Sequence, residues 1–79
     1  MSPKQDNHEL EADKKRRIIH DYLYKVMELN PDLYYSSTAE VAREVHLMIK
    51  EHKNRMPVEE QALFRKLTVR DVEVILSFH

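Results

Sequence analysis

Ser37-Thr38-Ala39-Glu40-Val41-Ala42-Arg43-Glu44-Val45-His46-Leu47-Met48-Ile49-Lys50-Glu51-His52-Lys53 is the stretch that decides the fold class. It opens with a hydroxyl residue followed three positions later by glutamate. That is the pattern of a capping box, in which each side chain satisfies the other residue's backbone N–H. Behind the cap, Val41, Ala42, Val45, Met48 and Ile49 recur at three- and four-residue spacing, which predicts one apolar stripe on a helix over Thr38–Lys53.

Working toward the N-terminus, the same periodicity carries a longer helix from about His8 to Leu29. Its stripe is Ile18, Ile19, Tyr22, Leu23, Val26, Met27 and Leu29, and its first half is nearly all polar. Residues 1–7 (MSPKQDN) are polar and read as a disordered tail, leaving 8–79 as a single helical domain. Asn30 is expected to take the left-handed conformation that ends helices, with Pro31 forbidding continuation. The connector Pro31–Ser37 then carries three large side chains, Leu33, Tyr34 and Tyr35.

Toward the C-terminus, Asn54 is expected to end the second helix as Asn30 ends the first. Pro57, read as a first helical residue, and Glu59-Glu60, suited to a positive helix end, predict a third helix over Pro57–Lys66. Val58, Ala62, Leu63 and Phe64 are its apolar side chains. Val69–Phe78 is ambiguous, because Val72, Val74, Leu76 and Phe78 alternate as in a strand. The cap-like Thr68-x-x-Asp71 and the lack of a second strand to pair with favour helix. The expected fold is all-α: a small bundle of three to four helices with a long N-terminal helix and short connections.

Composition narrows the function. The 79 residues contain no glycine and no cysteine. Phosphate-cradling loops, dinucleotide fingerprints and nucleophile elbows all need glycine for positive φ or close backbone approach, so those classes are excluded. No apolar run approaches the roughly 20 residues that span a bilayer, and Met1–Lys15 has no signal-peptide apolar core. A cytoplasmic protein is therefore expected. Charge is balanced, 13 Lys and Arg against 14 Asp and Glu.

Catalytic and metal chemistry find little footing. No two of the five histidines stand at the three- or four-residue spacing a helical ligand pair requires. With no cysteine and serines only at caps or termini, a nucleophilic triad has no members. No metal, cofactor or enzymatic activity is expected. Thr38–Leu47 has the apolar spacing of the first half of a helix-turn-helix. The second half fails, since His46 stands at the tight turn and His52 and Arg55 fall on core positions.

Two functional readings follow. In the first, surplus apolar side chains off the core stripes, Tyr34, Tyr35, Leu47, Val74 and Phe78, anchor a protein partner or a second copy. The chain is then a small regulatory or adaptor protein. In the second it is a dimeric DNA- or RNA-binding regulator, with phosphate contacts from Lys14, Lys15, Arg16, Arg17, Lys50, Lys53 and Arg55. The carboxylates flanking the Lys14–Arg17 run favour ordinary ion pairs along a solvated helix instead. A further basic set, including Arg65, Lys66 and Arg70, gathers near the junctions of the later helices and gains meaning only if it converges in space.

Overall fold

Reciprocal caps open two of the four helices. Ser37 Oγ accepts from the Glu40 backbone N–H at 3.2 Å, and Glu40 Oε1 accepts from the Ser37 N–H at 3.3 Å. Thr68 and Asp71 do the same at 3.0 and 3.1 Å. In the computed structural model, which describes the backbone of residues 3–77 and the side chains of residues 11–77, these caps start α2 (Thr38–His52) and α4 (Val69–Ser77). The cap thus outweighs the β-like alternation of residues 69–78: the described part of that segment is helix. Two further helices, α1 (Pro3–Leu29) and α3 (Val58–Leu63), complete an all-α bundle with no strand among the described residues.

Several boundaries differ from expectation. α1 starts at Pro3 rather than His8, so the tail expected over residues 1–7 is helical from Pro3 onward. Proline is at home in a first turn, and Lys4-Gln5-Asp6 offer no breaker. Pro57 is the N-cap of α3 rather than its first helical residue, with φ −56° and ψ 152°. α3 also stops at Leu63, short of the expected Lys66, because Phe64 leaves the helix to bury its ring in the core.

Neither asparagine turns the chain by the left-handed route. Among the described residues no φ is positive. Asn30 is extended, with φ −142° and ψ 81°, and leads into a 3-10 turn over Pro31–Tyr35. Asn54 sits inside a second 3-10 turn, Lys53–Arg55. A 3-10 turn tightens the path without leaving the right-handed region, which is how a chain without glycine closes its corners.

The core is the meeting of three stripes. α2 supplies Val41, Ala42, Val45 and Ile49, α1 supplies Ile19 and Val26, and α4 supplies Val72 and Leu76, all buried. α2 is the central element, packing most extensively on α4 and next on α1. Leu33, Met56 and Phe64 close the core from the connections. Leu33 therefore belongs to the core and not to the surplus apolar set. In the other direction, Leu29, Val58 and Ala62, assigned to stripes by spacing, face solvent. The molecule measures 46 × 27 × 19 Å, its long dimension set by the 27-residue α1.

Candidate functional site

The predicted anchors are largely on the surface. Tyr34 is 80% and Tyr35 93% exposed, Leu47 48% and Val74 45%. Phe78 lies outside the described residues. The two tyrosines belong to the Pro31–Tyr35 turn, which is too short to bury both faces. Proline at its first position and a hydrogen bond from the Ser36 N–H to the Leu33 carbonyl set its shape. Leu33 points inward and locks the turn to the core, so its neighbours point out. The two rings lie 6.2 Å apart, tilted at 44°.

A cleft opens on each side of this turn, and Leu33 lines both. One, of about 240 Å³, is floored by Leu23, Met27, Val41 and Leu76, with Tyr34 at its edge. The other, of about 110 Å³, runs between the end of α1 and the outer face of α2. Val26, Leu29, Leu47 and Met48 supply its apolar wall, and Glu44 and Glu51 are the charged groups that line it among the described residues. Leu29, which sequence reasoning placed on the core stripe, is exposed and lines this cleft with Leu47. Of the predicted anchors, Leu47 and Tyr34 thus line clefts that share Leu33, while Tyr35 adjoins Tyr34 on the turn and lines neither cleft. Val74 lines neither cleft.

The basic residues divide. Lys15 borders a cleft against Ala62 and Leu63 of α3, and Lys14 Nζ lies 4.0 Å from Glu59. Arg16 reaches Asp13 at 3.4 Å, an (i, i+3) ion pair along α1. Both pairs are exposed and contribute little to stability. Arg55 lines a separate cleft with Tyr22, Lys25, His52 and Glu60. Lys50 and Lys53 line a further cleft together with Arg65, described below. Of the seven cations of the nucleic-acid reading, Lys50 and Lys53 thus line one cleft, and Lys15 and Arg55 line two others.

Around Arg55 the chemistry is aromatic. The Lys25 ammonium sits 4.9 Å from the Tyr22 ring centroid, and the Tyr22 and His52 rings are 5.8 Å apart. Partial burial, and secondarily the Glu60 carboxylate, push the Tyr22 phenol above its usual value of 10.0. Both effects disfavour the phenolate. The arrangement ties α1 to the α2–α3 junction.

His46 makes a contact that sequence reasoning missed. Its Nε2–H donates to the Leu67 carbonyl at 3.0 Å, joining α2 to the turn between α3 and α4. The ring nitrogen is the donor because a carbonyl can only accept. A histidine at the edge of an apolar stripe, facing a turn with free carbonyls, is the signal that precedes such a bond. Among the described residues, no group of three or more His, Asp or Glu side chains is arranged to hold a metal ion, and no helix is long and apolar enough to cross a membrane. Comparison with known proteins finds no matching family model, no similar curated protein and no similar solved structure.

Proposed function

We propose that this chain is a non-enzymatic docking module, a regulator or adaptor that binds a basic amphipathic segment of a larger protein. The binding face is the Pro31–Tyr35 turn and the two clefts beside it. One observation carries the reading: exposed Leu29, Leu47 and Tyr34 line apolar clefts that share Leu33, and exposed Tyr35 stands beside Tyr34 on the same turn. Exposed aromatic and aliphatic side chains beside pockets are the usual anchors of an interface, since they bury much area for little lost rotamer freedom. Glu44 and Glu51 at the narrower cleft select the occupant's charge. Lysine or arginine flanking its apolar side chains would complement them.

The test is a photo-crosslinking amino acid placed at Tyr35, at Leu47 and, as a control, at exposed Lys66, in the cell of origin. Each sample is split into nuclease-treated and untreated halves. The expected result is one protein adduct at positions 35 and 47, absent at 66, insensitive to nuclease and lost when Leu47→Asp is added to the Tyr35 probe. Its crosslinked peptide should carry Lys or Arg around apolar residues. No adduct, an acidic peptide, or an adduct with a second copy of the chain would each overturn the proposal. Loss of the adduct with nuclease would move the nucleic-acid reading ahead.

A further inference from the structure

The cleft lined by Lys50, Lys53 and Arg65, of about 200 Å³, separates the end of α2 from the Phe64–Leu67 turn. Its charged groups are Lys50, Lys53 and Arg65, with His46 beside them, and among the described residues no carboxylate lines it. Ile49, Phe64 and Leu67 supply its apolar surface. Lys14 lies against Glu59 and Arg16 against Asp13, each in an exposed ion pair. What sets this cleft apart is that three cations line one space whose described lining holds no carboxylate.

The convergence is built by tertiary structure. Lys50 and Lys53 are three residues apart, on one side of the α2 terminus. Arg65 comes from the next connection and is held opposite them by the His46–Leu67 hydrogen bond, which fixes the turn to α2. The negative end of the α2 dipole favours Lys50 and Lys53. It gives no reason for Arg65 to join them, and three like charges in one cleft repel. A bound anion removes that repulsion.

We infer that this cleft binds the phosphoryl group of a small phosphorylated molecule whose carbon skeleton lies against Phe64 and Leu67. A phosphate monoester carries a charge of about −1.5 to −2 at neutral pH and three acceptor oxygens. That matches two ammonium groups and a guanidinium fork better than a carboxylate's single charge and two oxygens. The cleft is larger than a lone phosphate needs, and its apolar wall gives the remaining volume a use. This site lies on a different face of α2 from Glu44, Leu47 and Glu51 and does not depend on the docking proposal.

The experiment is a two-dimensional 1H–15N NMR titration of the full chain with inorganic phosphate, with phenyl phosphate and with a short duplex DNA, each against sodium chloride at matched ionic strength. Phenyl phosphate should give saturable shifts centred on the amides of His46, Lys53, Arg65 and Leu67, and bind more tightly than inorganic phosphate. The Lys53→Gln/Arg65→Gln double variant should weaken binding by about tenfold or more, the effect of losing charge-assisted hydrogen bonds. Lys14→Gln/Arg16→Gln should leave it unchanged. If the double variant does not fold, Lys50→Gln alone, at an exposed position, should still weaken binding several-fold. Shifts reproduced by chloride, spread over all lysines, or unchanged in the variants would overturn the inference. So would duplex DNA shifting these amides where phenyl phosphate does not, which would assign the phosphates to a nucleic-acid backbone.

Discussion

Removing the hydroxyl of Thr68 should cost this protein more stability than its exposed position suggests. Thr68 caps α4 by accepting from the Asp71 N–H at 3.1 Å, and its own N–H donates to Asp71 Oδ2 at 3.0 Å. Thr68→Ala deletes the first bond and loosens the second. Loss of an N-cap hydroxyl costs about 1–2 kcal/mol. No cavity adds to this, because the side chain is exposed. α4 has nine residues, fewer than the roughly 12–15 at which an isolated helix becomes even marginally stable, so the cap and the packing of Val72 and Leu76 must act together. Total stability for 79 residues is on the order of 4–12 kcal/mol, so the loss is a sizeable share. The melting temperature should fall by roughly 6–12 °C. Urea denaturation followed by far-ultraviolet circular dichroism measures the difference directly. Thr68→Ser, which keeps the hydroxyl, should stay within about 0.5 kcal/mol of the parent. Should Thr68→Ala also stay within that margin, or Thr68→Ser fall as far as alanine, the cap would not be what holds α4.

Three other outcomes are expected. Ile49→Ala, at a core residue 2% exposed, should destabilise by about 2–5 kcal/mol in the same urea assay. Asn30→Gly, which stabilises helix ends that use a left-handed residue, should instead cost about 0.4–1 kcal/mol, because Asn30 has φ −142° and glycine only adds freedom to the unfolded chain. The Tyr22 phenol is raised above its unfolded value by burial and by Glu60, so the folded state holds that proton more tightly. Its contribution is fully present below the unfolded value of about 10 and is lost as pH rises through the folded one. Melting temperatures taken from pH 8 upward should therefore fall less steeply above pH 10 in Tyr22→Phe than in the parent; parallel curves would contradict this.

Local signals in the chain were enough for the helices themselves. The Ser37–Glu40 and Thr68–Asp71 caps act through residues three apart, and helical periodicity acts over one or two turns, so both are visible in a linear text. The all-α class, the start of α2 and the helical state of residues 69–77 follow from such short-range physics. Exposure of Tyr34, Tyr35, Leu47 and Val74 was legible for the same reason, since each falls off the main stripe or within a short connector.

What spacing could not decide is which of several apolar residues a small core has room for. Leu33 is buried while Leu29 and Val58 are exposed, because the 3-10 turn at Pro31 brings Leu33 under the bundle and leaves the end of α1 and the start of α3 outside it. The turns depart from the local signal: without glycine, Asn30 and Asn54 are the natural left-handed residues, yet the chain turns through right-handed 3-10 geometry at both. The meeting of Lys50 and Lys53 with Arg65 is likewise a product of tertiary structure alone. It depends on a bond between His46 and a carbonyl 21 residues further along, and such a contact exists only once α2 and the α3–α4 turn have packed together. Sequence determined the helices, because their forces act between near neighbours; only the fold could decide which side chains those helices hide and which charges they bring face to face.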